Sequence, residues 1–147
     1  MTYWTWDPSL SVGVDVIDGQ HRRIVDYINE LDLARKDDDR ARIGEILSNL
    51  VDYTRTHFAF EEDLMARSGY PLSESHKQVH RSYVAHIDKF VEQHRAGKDV
   101  TRRLMSELQI WLTNHIRNAD TDYAPYAQKS LNRNKGWIGN ALSRLFD

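Results

Sequence analysis

Histidine and carboxylate residues recur along this chain at the spacing of helix turns. His57 and Glu61 are four residues apart, and so are His76 and His80. A step of four residues turns only about 40° around a helix, so both members of each pair point to the same side. Similar side chains recur at His21, His115 and Asp120. Imidazole and carboxylate groups are donors to metal ions, so the pattern raises the question of a metal site.

The same residues interrupt or extend stripes of apolar residues, which indicates that they point into the protein interior. A lone histidine on such a stripe is usually a hydrogen-bonded core residue, and a single pair is often part of a solvated helix face. The whole set is harder to explain in this way, because five histidines and two carboxylates in one core are costly unless they are paired or metal-bound. No Lys or Arg on the stripes could neutralise them. Two ions that share bridging carboxylates fit the set, and its nitrogen and oxygen donors suit iron, manganese or zinc.

The composition is that of an ordinary globular domain. The chain has 147 residues, a net charge of −2, 40% hydrophobic and 29% charged residues, and no cysteine. One domain of this size can build its own core. The small net charge gives no general attraction to nucleic acid or to anionic membranes, so neither is an expected partner. The lack of cysteine excludes disulfides, thiol catalysis and iron–sulfur clusters.

No targeting signal is expected from the N-terminal sequence. The first twenty residues contain no Lys or Arg and no unbroken apolar run, unlike a secretory signal or a transit peptide. No run of about 18 apolar residues occurs, so no transmembrane segment is expected. The expected location is the cytoplasm.

Proline positions and apolar spacing together predict an all-α fold. The prolines, at positions 8, 71 and 125, leave long stretches free of helix breakers. Apolar stripes at steps of three and four residues predict four helices, over 18–37, 40–67, 73–96 and 99–128. Asp18 is a candidate N-cap of the first helix. Short connections favour antiparallel neighbours, so we expect an up-down-up-down four-helix bundle.

Two end segments lie outside these helices. Residues 1–17 contain Trp4, Trp6 and several aliphatic residues, too many for a free tail, so we expect an N-terminal arm packed on the bundle. With this arm the bundle domain spans 1–128. Residues 129–147 form a C-terminal amphipathic extension, in which 136–146 has the apolar spacing of a short helix. That helix either caps the bundle or meets a membrane surface or a partner protein.

The ordered set of histidines and carboxylates resembles the haemerythrin family, in particular its bacterial single-domain members. The order and spacing of all seven residues match the family. The flanking segments also match, namely Asp18-Gly-Gln-His21, His57-Phe58 with Glu61-Glu62, and Trp111-Leu-Thr-Asn-His115-Ile116. The resemblance covers roughly residues 4–128. The complete motif is highly specific, although any one piece of it is weak.

The resemblance implies a non-haem di-iron centre with an oxo or hydroxo bridge that binds O2 reversibly. By position, His76, His80 and His115 would bind one iron, and His21 and His57 the other. Glu61 and Asp120 would bridge the two irons. This set is one donor short of completing two octahedral ions, and the open position falls on the iron with two histidines. An open position distinguishes a ligand-binding metal site from a closed structural one.

The ligand types favour O2 binding over O2 activation. Di-iron oxidases of the ferritin-like type use mostly carboxylates with Glu-x-x-His motifs, which are absent from this chain. We expect Phe58, Trp111, Leu112 and Ile116 to form an apolar wall around an O2 pocket, which would slow proton entry. The alternative for these four residues is plain core packing.

One spacing does not fit a regular helix. His115 and Asp120 are five residues apart, which is about 140° around an α-helix; a π-bulge would bring them onto one side, and we predict one there. His86 and His94 lie outside the pattern, and we expect both on the surface.

The leading hypothesis is a monomeric O2 carrier that serves storage, transport or delivery in a bacterial cytoplasm, without catalytic turnover. The alternative is an O2- or redox-sensing module that acts on a partner protein through the C-terminal extension. An enzyme, such as an oxidase or a peroxide scavenger, is disfavoured because further carboxylates and a second catalytic group are missing.

Overall fold

The fold is an antiparallel helical bundle, as predicted. A computed structural model describes residues 2–133 together with 136, 139 and 142. Its long helices are α1 (Asp15–Lys36), α2 (Arg40–Ser68), α3 (Ser73–Arg95), α4 (Thr101–His115) and α5 (Thr121–Arg133), and a π-helical segment, Ile116–Asp120, joins the last two. The described part of the chain contains no strand. None of its helices combines the length and apolar character needed to cross a membrane.

Helix ends follow local capping chemistry. The Asp39 side chain accepts a hydrogen bond from the Arg42 N–H and caps the start of α2. Gly69 ends the same helix with a φ of 71°, a left-handed conformation that favours glycine. Three of the four predicted helices therefore match α1, α2 and α3 to within a few residues. The predicted fourth helix corresponds to α4, the π segment and α5 in succession.

The bundle closes because each helix packs on its neighbours. Helix α1 packs on α2 and α4, and α2 packs on α3 and α5. The apolar residues form two cores, one extending from Trp4 to Ile116 and one around Phe60, Leu64 and Tyr123. Along α1 and α2 the switch from one core to the other occurs at His21 and at His57 with Glu61. The candidate ligands therefore form a polar layer between two apolar regions.

The N-terminal arm packs on the bundle as expected. Trp4 and Leu10 are buried in the larger core. The Trp4 N–H donates to Asn29 Oδ1, and the Asn29 amide donates back to the Trp4 carbonyl, both at 2.8 Å. These contacts fix the arm along α1.

Asp18 does not cap α1, because the helix begins three residues earlier, at Asp15. Its buried carboxylate instead accepts a 2.9 Å hydrogen bond from the Val12 N–H and a 2.6 Å hydrogen bond from the Ser11 hydroxyl. The capping prediction was wrong because α1 begins within the apolar N-terminal segment, before Asp18. Asp18 instead holds the arm in place through its hydrogen bonds to Ser11 and Val12.

Helix α5 continues beyond residue 128 to Arg133. The division into 1–128 and 129–147 stays a prediction. Of the short helix predicted over 136–146, only Gly136, Gly139 and Leu142 belong to the described residues.

Candidate metal centre

The seven residues singled out in the sequence converge on one buried site. None of them has more than 7% of its surface exposed, although all are polar. They come from five segments: His21 from α1, His57 and Glu61 from α2, His76 and His80 from α3, His115 from α4, and Asp120 from the π segment. Burial of so many polar groups is favourable only if they satisfy one another or a ligand.

Two groups of potential ligands share one carboxylate. In one group, donor atoms of His21, His57 and Glu61 lie within 4.8 Å of one another. In the other, donor atoms of Glu61, His76, His80 and His115 do so. Glu61 therefore lies between a group with two histidines and a group with three.

Asp120 also faces both groups. Its Oδ2 lies 3.2 Å from His21 Nε2, and its Oδ1 lies 3.3 Å from His76 Nε2 and 3.4 Å from His115 Nε2. One carboxylate oxygen is thus directed to each side of the site. This arrangement is what a second bridging carboxylate requires.

The donor atoms fit metal cations better than they fit one another. His115 Nε2 lies 3.1 Å from His76 Nε2 and 3.2 Å from His80 Nε2. One imidazole nitrogen carries either one proton or one lone pair, so it cannot satisfy both neighbours. Several buried atoms of the described residues make no hydrogen bond, among them both ring nitrogens of His21, His57 Nε2, Glu61 Oε1 and both oxygens of Asp120. A cation would satisfy these converging lone pairs.

The electrostatic environment favours the ligand-competent protonation state at both carboxylates and at His115, whereas Asp120 and Glu61 raise the pKa of His21 and His76 against the effect of burial. Burial alone would raise the pKa of Glu61, but His57 and the other histidines around it hold that pKa well below its usual value. Burial and the nearby Glu61 would raise the pKa of Asp120, but the close imidazoles of His21 and His76 outweigh these effects and lower it. Burial lowers the pKa of His115 to about 4. Anionic carboxylates and a neutral imidazole are the forms that bind metals.

Two polar residues orient the histidines from outside the cluster. His57 Nδ1–H donates to Gln20 Oε1 at 2.6 Å, and His80 Nδ1–H donates to Glu62 Oε2 at 3.1 Å. Each bond fixes the tautomer and directs Nε2 toward the site. Gln20 and Glu62 were quoted only as flanking residues in the sequence. Their position next to a ligand was a signal, but their bonding partners lie on other helices.

Sequence reasoning missed Tyr123 altogether. Its hydroxyl, buried on α5, donates a 2.5 Å hydrogen bond to Glu61 Oε2. Burial, together with the carboxylates of Glu61 and Asp120, raises the pKa of this phenol well above its ordinary value, so it stays a donor. The signal available was a polar aromatic residue three positions after Asp120, which is the same face of a helix.

The four expected pocket residues border the cluster on the side of the larger core. Phe58 stacks on His80 with ring centroids 3.7 Å apart, and Trp111 stacks on His115 at 4.4 Å. Leu112 and Ile116 are each 1% exposed and belong to the same apolar core. The two aromatic rings therefore line the histidines directly, and the two aliphatic residues extend the apolar surroundings.

The predicted irregularity between His115 and Asp120 is confirmed. Residues Ile116–Asp120 form a π-helix, which is the widened turn that a five-residue step needs. The Thr121 hydroxyl donates to the Arg117 carbonyl at 2.7 Å beside it. The wider turn explains how His115 and Asp120, on one continuous helix, reach the same site.

The two remaining histidines differ from each other. His86 is half-buried and pairs with Glu107 at 3.0 Å. His94 is buried, so the expectation of a surface residue was wrong. Its Nε2 lies 3.2 Å from the Arg40 carbonyl oxygen. A Cβ atom added at Gly44 would lie 3.2 Å from the same ring nitrogen. The apolar stripe of α3 continues to position 94, and the missing side chain at Gly44 lets the imidazole fill the gap.

Comparisons with known proteins agree with this geometry. The family model described as the hemerythrin HHE cation binding domain matches residues 12–127. The chain is 40% identical to a bacteriohemerythrin of Stenotrophomonas maltophilia and 38% identical to one of Pseudomonas aeruginosa, in each case over 99% of both chains. It also resembles a crystal structure of wild-type hemerythrin, with a TM-score of 0.80 and 31% identity over 85% of this chain and 98% of that one. Neither the family description nor these names refer to an enzymatic reaction.

Proposed function

This chain belongs to the hemerythrin family, and on that premise we propose that it binds O2 reversibly at a non-haem di-iron centre. The observation that carries the proposal is the buried cluster of seven imidazole and carboxylate groups. Within the described part of the chain, the ion-pair partners of Glu61 and Asp120 are all histidines. The two buried carboxylates and the histidines around them therefore direct their donor atoms to positions that cations would fill.

The two groups of donors suggest which residues hold each iron. His76, His80 and His115 hold one ion, and His21 and His57 hold the other. Glu61 and Asp120 would be shared by the two ions, and an oxo or hydroxo group would complete the centre. The membership of Glu61 in both groups and the split contacts of Asp120 support this assignment. The side with fewer histidines keeps the open position for O2.

The iron pair, when bound, supplies the electrons that let O2 bind and leave again. The chain controls the surroundings of that exchange. Neutral imidazoles outnumber carboxylates and favour ferrous iron, which suits release of intact O2. Phe58, Trp111, Leu112 and Ile116 keep water and protons away from the pocket. Hydrogen bonds from His57 to Gln20 and from His80 to Glu62 hold the imidazoles in position.

In the cell this chemistry serves storage, transport or delivery of O2 rather than turnover of a substrate. We place the protein in a bacterial cytoplasm and expect it to act as a monomer. In our proposal the seven buried imidazole and carboxylate groups all serve to hold the iron ions.

Metal analysis and absorption spectroscopy of the purified protein test the proposal. We expect about two iron atoms per chain, and absorption bands that appear when anaerobic ferrous protein meets O2 and disappear when O2 is removed. His57→Leu should lose metal and the bands, whereas the control His86→Leu should keep both. Bands that form once and decay without recovery would contradict a carrier.

A further inference from the structure

A short non-helical segment of the N-terminal arm crosses the polar layer that contains the seven candidate ligands. Leu10, just before this segment, is buried in the larger apolar core, and Val14, just after it, is buried in the smaller core. Val12 is half-buried between them and packs against both cores. Because the candidate ligands separate the two cores, residues 11–13 pass over the polar layer from one core to the other. We call residues 11–13 the strap.

The arm touches both segments that bring one pair of ligands together. His21 Nε2 and Asp120 Oδ2 lie 3.2 Å apart. Asp18, which binds the strap, lies three residues before His21 on α1. Arg117 lies three residues before Asp120 in the π segment, and its guanidinium contacts the Ser9 hydroxyl at 3.5 Å. The strap therefore lies beside the part of the polar layer where α1 and the π segment meet.

One buried carboxylate holds the strap in place. Asp18, which is 3% exposed, accepts hydrogen bonds from the Ser11 hydroxyl at 2.6 Å and from the Val12 N–H at 2.9 Å. The Gly13 N–H donates in turn to the Ser11 hydroxyl oxygen at 3.2 Å. Hydrogen bonds to a charged acceptor are stronger than those between neutral groups. Three bonds centred on Asp18 and Ser11 thus hold all three residues of the strap.

The strap is a thin cover in comparison with the helices around the layer. Ser11 and Gly13 are exposed, and the strap lies between the short helical turn Pro8–Leu10 and α1. The helices that carry ligands are held by regular backbone hydrogen bonds along many turns. A segment with few buried contacts opens locally at a lower free energy than packed helices do. Local opening of the strap would expose one side of the polar layer while the bundle stays folded.

We propose that opening of the strap is the route by which metal ions enter and leave the buried site, and that the bonds between Asp18 and Ser11 set how often it opens. The candidate ligands are at most 7% exposed, so a metal ion reaches them only when part of the cover moves. The inference rests on the proposed function to the extent that the buried site takes up metal.

Opening of the strap is measured first, by hydrogen exchange with mass spectrometry on the purified full-length protein. Ser11→Ala removes one partner of Asp18 and one of Gly13, so the peptide that contains Val12 and Gly13 should exchange at least about fivefold faster. Thr5→Ala is the matched control, since Thr5 is an exposed residue of the same arm whose hydroxyl pairs with that of Thr2. It should leave this exchange unchanged. Unchanged exchange in Ser11→Ala would show that the hydroxyl does not hold the strap.

Metal release is then measured on protein loaded with ferrous iron under anaerobic conditions and mixed with excess ferrozine, which absorbs light when it binds released iron. The release rate should rise at least about fivefold in Ser11→Ala. It should also rise in Gly13→Ala, because Gly13 has a φ of 79°, which strains a residue with a Cβ. Uptake should accelerate by a similar factor, since a route serves both directions, so the equilibrium affinity should stay the same. Thr5→Ala should release iron at the wild-type rate.

A variant that weakens the bundle far from the strap separates local opening from global unfolding. Ile43 is buried near the start of α2. Ile43→Val costs about as much stability as the loss of one hydrogen bond, and it should leave the release rate near that of the wild type. If Ile43→Val speeds release as much as Ser11→Ala does, metal leaves through global unfolding and the inference is wrong. Faster exchange at the strap without faster release would overturn it as well.

The two proposals fail separately. Reversible O2 binding, together with equal iron release by all variants, would leave the carrier function intact and end the inference about the strap. Iron exchange governed by the strap, in a chain that does not bind O2 reversibly, would do the reverse.

Discussion

Glu61 carries its charge in a completely buried position and divides its two oxygens between different partners. Its Oε1 lies 3.1 Å from His57 Nε2 and 3.6 Å from His80 Nε2. Its Oε2 accepts the hydrogen bond from Tyr123. One residue thus links both groups of histidines to the helix that follows the π segment.

The bond from Tyr123 should contribute measurably to stability. Tyr123→Phe keeps the ring but leaves a charged, buried oxygen without its donor, so the free energy of unfolding should fall by about 2 kcal/mol. Tyr126→Phe is the control on the same helix, because Tyr126 is 41% exposed. Urea titration followed by circular dichroism measures both. Equal stability of the two variants would show that Glu61 does not depend on the phenol.

The contact between Gln20 and His57 should tune metal affinity. Gln20→Leu removes the acceptor of the His57 Nδ1 proton, and loss of such a partner typically costs about 10- to 100-fold in affinity. Gln20→Glu keeps an acceptor and should bind metal at least as well as the wild type. Competition against a chelator of known affinity gives the values. Leucine and glutamate variants with the same affinity would argue against an orienting role.

The residues that the sequence revealed share one property, which is periodic spacing on an apolar stripe. His57 with Glu61 and His76 with His80 were found because the spacing alone places each pair on one helix face. Tyr123 and Gln20 act through partners on other helices, and no spacing within one helix encodes such contacts. His94 could have been assigned to the interior, since the stripe of α3 includes it.

At the scale of elements, the π segment and the N-terminal arm matter most. The π segment was predictable because a five-residue step between two ligands conflicts with a regular α-helix. The start of α1 was not predictable, because residues 15–17 continue the apolar arm and also form the first turn of the helix. Helix boundaries were otherwise close, since glycine and polar runs separate the stripes.

The arm should stabilise the bundle through Trp4. Trp4 is 8% exposed and bonded to Asn29 on α1. Trp4→Ala should lower the free energy of unfolding by about 3 kcal/mol, the usual cost of removing a buried aromatic ring. Tyr3→Ala, at a residue 39% exposed, should change it by less than about 0.5 kcal/mol. Chemical denaturation measures the free energy of unfolding of both variants. If Trp4→Ala lowers it as little as Tyr3→Ala does, the arm contributes little to the stability of the bundle.

At the scale of the whole molecule, a buried polar layer separates two apolar cores. Such a layer is unfavourable by itself, because its charges and ring nitrogens are removed from water. Metal ions that bind only the folded chain would convert this layer into a stabilising feature. The strap that crosses this layer, by contrast, could not be foreseen, because it depends on how the arm packs against both cores.

Removal of metal should therefore destabilise the protein strongly. Dialysis against a chelator should lower the melting temperature by about 10 °C or more, as expected when a ligand bound far above its dissociation constant is lost. Addition of ferrous iron under anaerobic conditions should restore the original value. Circular dichroism during heating measures the change, and an unchanged melting temperature would mean that the polar layer is satisfied without metal.

The amount of O2 released per chain over repeated cycles tests the carrier function most directly. Anaerobic ferrous protein is equilibrated with O2, freed of unbound gas and then deoxygenated, and an oxygen electrode measures the release. A carrier with one di-iron centre should release about one O2 per two irons in every cycle, with little loss between cycles. Release in the first cycle only, or consumption of O2 without release, would contradict reversible O2 binding by this chain.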